Sequence, residues 1–105
     1  MEVQTKQTDR SMTISFIGEL DHHGAKETVI KMERALDAAL PMHLTLDLSG
    51  VTFMDSSGIA VVMRAYRRMA ALGGRLELRG VPAQAKKVFD AAGISGRVPM
   101  EGSGQ

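Results

Sequence analysis

A chain of 105 residues, 44% hydrophobic and with a formal net charge of +1, has the size of one ordinary domain with a modest core. The balanced charge excludes the basic excess of nucleic-acid binders, and the lack of cysteine excludes disulfides, thiol catalysis and cysteine-ligated zinc. No stretch reaches membrane-spanning length and the polar opening, residues 1–10, is no signal peptide, so the expectation is a cytoplasmic protein without membrane or direct nucleic-acid partners.

With 4% aromatics and no Trp, aliphatic side chains and eight Met must fill the core. Residues 3–6 suggest an edge strand. Residues 12–16 alternate apolar and polar side chains, the period of a strand with one buried face. After a loop comes a helical run over residues 24–40, with Ala25, Val29, Met32, Leu36 and Leu40 on one stripe. Residues 43–48 alternate again, followed by the apolar Val51, Phe53 and Met54. A second helix over residues 57–72 carries Ile59, Val62, Met63, Tyr66 and Met69 on its stripe and stops at Gly73 and Gly74. Residues 75–79 form a third alternating strand. A short helix follows from Pro82 to about Ala92, anchored by Val88 and Phe89 and closed by Gly93. A last short strand falls near residues 97–100.

Strands covered on both faces read as continuous apolar runs, and these alternate. The pattern therefore predicts a single α/β domain over residues 1–100: a mixed, mostly parallel sheet of four to five strands with helices on one face. Residues 101–105 are expected to be a flexible tail.

Chemistry concentrates where a strand hands over to a helix, at Asp55-Ser56-Ser57-Gly58. Unpaired backbone N–H groups and the positive end of the helix dipole gather there, a favourable place for a phosphate. Asp55 is expected to cap the helix, Ser56 to face out of its first turn, and Gly58 to let a partner backbone approach. Plain capping accounts for the same residue types. The segment Gly18-Glu19-Leu20-Asp21-His22-His23 lies at the same end of the sheet if its strand and that of residues 43–48 are neighbours, and Asp21 can cap the first helix.

Other chemistries are weakly supported. Adjacent His22 and His23 side chains point apart, and further metal ligands are not evident. A Ser–His–Asp set from Ser56, His22 or His23 and Asp21 lacks the strained elbow of serine hydrolases. No glycine-rich phosphate loop is present. The expectation is a protein with no catalytic residues, metal or cofactor. Arg64, Arg67 and Arg68 line the polar face of the second helix, either as a patch for an acidic partner or as a solvated face.

Taken together, the Gly18-to-Asp21 loop, residues 46–60 around Met54-Asp55-Ser56-Ser57-Gly58, and residues 73–78, 88–90 and 92–94 resemble the anti-sigma factor antagonists of the STAS domain family. The likeness runs from about Val3 to Met100. It implies a partner switch controlling sigma-factor-dependent transcription. The unphosphorylated antagonist binds an anti-sigma factor that is also a serine kinase, is phosphorylated on the serine after the motif aspartate, here Ser56, and is reset by a metal-dependent phosphoserine phosphatase. The resemblance also implies that Asp21, Asp55, Ser57 and Gly58 belong to the docking site. Family members usually continue into a further C-terminal helix, for which this sequence leaves no room. The alternative within the family is a non-switching adaptor subunit of a signalling scaffold or transport complex.

Overall fold

The computed structural model describes residues 1–101. Its elements, in chain order, are β1 (Glu2–Thr8), β2 (Ser11–Leu20), α1 (Ala25–Ala39), β3 (His43–Met54), α2 (Ser57–Leu72), β4 (Arg75–Arg79), α3 (Ala83–Ala91) and β5 (Met100–Glu101). They lie in one sheet in the order β1-β2-β3-β4-β5. β1 is antiparallel to β2, and every later pair is parallel.

That order places the helices. Each parallel step moves in the same direction across the sheet, and right-handed crossovers then put α1, α2 and α3 on the same face. Ile14, Phe16, Leu46, Leu48 and Leu78 point into the layer between sheet and helices and are fully buried, meeting Met32, Leu36, Val62 and Phe89 from above. The opposite face carries Thr13, Ser15, Thr45, Asp47 and Glu77, half-buried and polar. The fold is the one-sided α/β domain that the alternation implies.

The boundaries differ in instructive ways. β2 and β3 run on to Leu20 and Met54 through two register shifts, one between Ser15 and Ile17 and one between Gly18 and Glu19. Such irregularities break strict alternation, so the pattern in the sequence stops short of the real strand ends. Helix α1 ends at Ala39, with Leu40 in the left-handed region at φ 46° and 57% exposed; buried Thr28 joins its core stripe instead. Residues 94–98 form a turn, with the Arg97 and Val98 N–H groups donating to the Ile94 carbonyl, so the last strand is Met100–Glu101. Glu101 thus belongs to the sheet, and the remainder of the expected tail, residues 102–105, lies outside the described residues.

Candidate functional site

Leu20 and Met54 are register partners at the ends of adjacent parallel strands, so the loops after β2 and β3 leave the sheet side by side. Asp55 ties them together. Its N–H donates to the Leu20 carbonyl at 3.3 Å. Its Oδ2 accepts the His22 N–H at 3.2 Å and its Oδ1 the Ser57 N–H at 2.7 Å. The Ser57 N–H bond pulls the Asp55 carboxyl below its ordinary value against the opposing effect of burial, with help from the Ser57 hydroxyl and from His22. Asp55 is therefore an anion at neutral pH. Asp21 serves a different turn from the one expected. Its Oδ1 accepts the His23 N–H at 3.1 Å and its carbonyl accepts the Gly24 and Ala25 N–H groups, while Gly24 takes the N-cap position of α1 without a side-chain bond.

The N-cap position of α2 belongs to Ser56, not to Asp55. Ser56 has helical φ and ψ and makes no side-chain capping bond; Asp55 performs that task one residue earlier. The hydroxyl of Ser56 is left exposed, with no hydrogen-bond partner among the described residues. Ser57 is half-buried and turned toward Asp55. The pool of unpaired N–H groups is smaller than a bare helix start offers, because Gly58 donates to the Asp55 carbonyl at 3.0 Å and Ile59 to the Ser56 carbonyl at 3.1 Å. What remains for an anion is mainly the helix dipole. Gly58 faces inward and is buried: a Cβ there would lie 2.3 Å from both Cγ and Sδ of Met54. Its missing side chain lets the helix start sit on the strand end.

The two histidines do not point apart. Their rings stack at 4.1 Å between centroids, tilted by 35°. His22 Nδ1 lies 3.6 Å from Asp55 and His23 Nδ1 3.8 Å from Asp21. Among the described residues no group of three or more His, Asp or Glu side chains converges as a metal site. The arginines divide. Arg64 donates to Glu33 at 2.9 and 3.4 Å, and Arg68 to Asp37 at 2.5 Å, so two of the three bind α2 to α1. Arg67 stays exposed.

The family profile described as "Mlab, STAS domain" matches residues 3–100. An anti-sigma F factor antagonist of Lysinibacillus sphaericus is 32% identical over 94 residues, covering 90% of this chain and 78% of that protein. The chain belongs to the STAS-domain family of anti-sigma factor antagonists. Among solved structures, the STAS chain is similar to the anti-sigma factor antagonist SpoIIAA in its unphosphorylated form, with TM-score 0.80, 27% identity and coverage of 94% of this chain and 87% of that one. The Bacillus cell fate determinant SpoIIAA in its phosphorylated form matches with TM-score 0.73, 27% identity and coverage of 94% and 90%.

One residue that positions the STAS site is invisible in the sequence pattern. β4 pairs with β3 only as far as Asp47, which leaves the end of β3 without a strand on that side. Gln84, at the start of α3, fills the gap: its Oε1 accepts the Met54 N–H at 2.9 Å and its Nε2 donates to the Met54 carbonyl at 2.8 Å. The side-chain amide acts as a one-residue strand and fixes the backbone just before Asp55. Between α2 and α3, Ile59, Val88, Ala91 and Ala92 form a mostly apolar groove with Ser56 at its rim.

Proposed function

We propose that this chain is an anti-sigma factor antagonist that switches partners through Ser56. The observation that carries the reading is the Ser56 hydroxyl: exposed and unbonded, at the start of a helix whose capping is done by Asp55. Unphosphorylated, the face formed by Asp21, Asp55, Ser56 and Ser57, underpinned by Gly58, docks an anti-sigma factor, which is also the serine kinase that marks it. A metal-dependent phosphoserine phosphatase removes the mark. The chain itself is a regulator and kinase substrate rather than an enzyme, working in the cytoplasm. The curated relatives named as antagonists support this, as does the likeness to a protein solved with and without phosphate. No described helix is long and apolar enough to cross a membrane.

The switch is electrostatic. Phosphorylation adds about −1.5 to −2 charges at neutral pH. In the free chain the helix dipole and solvent accommodate them, so the fold changes little. In a docked complex the phosphate is desolvated beside the anion of Asp55, and such like-charge juxtaposition costs several kcal/mol. About 1.4 kcal/mol is tenfold in affinity, so the complex separates. The reading is tested by labelled phosphate transfer from ATP by the proposed anti-sigma factor kinase, followed by peptide mapping. Label on Ser56 is expected. Label on Ser57 moves the switch to the neighbouring hydroxyl, and no label favours a non-switching adaptor.

A further inference from the structure

The two edges of the sheet are unlike. Among the described residues β5 comprises only Met100 and Glu101. β1 is seven residues long, contains no proline and pairs with β2 in unbroken register along its whole length. Every residue of β1 except half-buried Val3 is exposed. In an antiparallel pair, alternate residues aim their N–H and C=O groups away from the neighbour, so β1 presents a row of such groups outward. Long unbulged edges of this kind pair with other strands unless something opposes it.

We propose that β1 is a self-association edge, and that two copies of this chain pair antiparallel through it about a twofold axis at Gln4. The charges single out this register. β1 holds one anion, Glu2, and one cation, Lys6, both on the open face of the sheet with Gln4, opposite Ile17, Thr13 and Ser15 of β2 respectively. Centring the pair on Gln4 sets Glu2 of each copy against Lys6 of the other, Val3 against Thr5, and Gln4 against Gln4, with each Gln4 amide donating to Glu2 of its own strand at 2.6 Å. Centring on Glu2 or on Lys6 opposes like charges, and centring on Val3 or Thr5 leaves both charges without a counterpart. Unlike charges directly opposite stabilise a strand pair and like charges oppose it.

The axis stands perpendicular to the sheet, so two five-stranded sheets join into one with all helices on the same face. The ends bearing Ser56 then point in opposite directions, leaving both switch sites free. The proposal therefore stands apart from the partner-switching reading. The flank of α1 above β1 carries the Glu27–Lys31 ion pair at 3.3 Å, beside Met1, and adds little apolar surface. The dimer is accordingly weak and concentration-dependent.

Sedimentation velocity over a concentration series of the unmodified chain tests this, together with amide exchange along β1. A reversible dimer is expected, with β1 amides protected as concentration rises. Lys6→Glu or Glu2→Lys alone should weaken it about tenfold, since each converts two symmetry-related attractions into repulsions. The double exchange Glu2→Lys with Lys6→Glu should restore it. A chain that stays monomeric throughout, a dimer indifferent to these charges, or single losses that the double exchange does not repair each overturns the proposal.

Discussion

Gly58→Ala puts the junction between β3 and α2 to a direct test. The new methyl would lie 2.3 Å from Cγ and Sδ of Met54 and 3.2 Å from Cδ2 of Leu20. Carbon atoms in contact sit about 3.5–4.0 Å apart, so Met54 has to retreat by roughly 1.2 Å or more. It has nowhere to go: Met54 and Leu20 are both fully buried. Overpacking of this kind costs about 1–3 kcal/mol. The helix propensity gained on replacing glycine offsets at most about 1 kcal/mol. An overlap of more than about 1 Å takes the upper end of that range, about 2–3 kcal/mol, so the net loss is about 1–3 kcal/mol, which for a domain of this size lowers Tm by at least roughly 4 °C. Urea denaturation followed by circular dichroism measures it. Truncating Met54 separately should cost about 2–5 kcal/mol through the cavity it leaves. Combined with Gly58→Ala it should cost less than the sum, because the added methyl occupies part of that cavity. A Gly58→Ala chain as stable as the parent, or strictly additive behaviour of the pair, would refute the inward role of Gly58.

Gln84→Ala removes two hydrogen bonds to Met54 and should destabilise by about 1–3 kcal/mol while speeding exchange of the Met54 amide; unchanged exchange would mean the amide does not substitute for a strand. Asp55 has a folded-state pKa below its ordinary 3.8, so it stabilises the fold above that value and loses its contribution as pH falls through the folded pKa. Asp55→Asn should accordingly flatten the acid limb of stability against pH below about 3.8, and an unaltered limb would contradict the bonds assigned to that carboxylate. Replacing Arg64 and Arg68 by Ala should lose only a small, salt-screened stabilisation and leave partner affinity intact, since both arginines are occupied by Glu33 and Asp37. A large loss of affinity would show that they reach the partner after all.

The order of elements, the one-sided sheet and the position of Ser56 were readable because each rests on a local signal. Alternation at residues 12–16, 43–48 and 75–79 marks strands with one wet face. Serine at a helix start announces itself by its neighbours. What could not be read depended on contacts distant in sequence. Gln84 reaches back 30 residues to Met54. Arg64 and Arg68 find their acids 31 residues away on α1. Gly58 looked like an opening to a partner, yet its bareness serves Met54 and Leu20, which no local pattern reveals. Asp55 and Ser56 each sit one place earlier than expected, Ser56 at the N-cap and Asp55 before it, because the Asp55 side chain reaches Ser57, two residues on, to do the capping. The histidine stack arose from the turn that Asp21 and Asp55 fold around residues 22 and 23.

The switch itself is tested most directly by calorimetric titration of the proposed anti-sigma factor partner, against the chain unmodified and stoichiometrically phosphorylated on Ser56. Tight binding is expected for the hydroxyl form and an affinity at least about a hundredfold weaker for the phosphorylated form, in line with several kcal/mol of like-charge repulsion. Equal affinities for the two forms would contradict the switch.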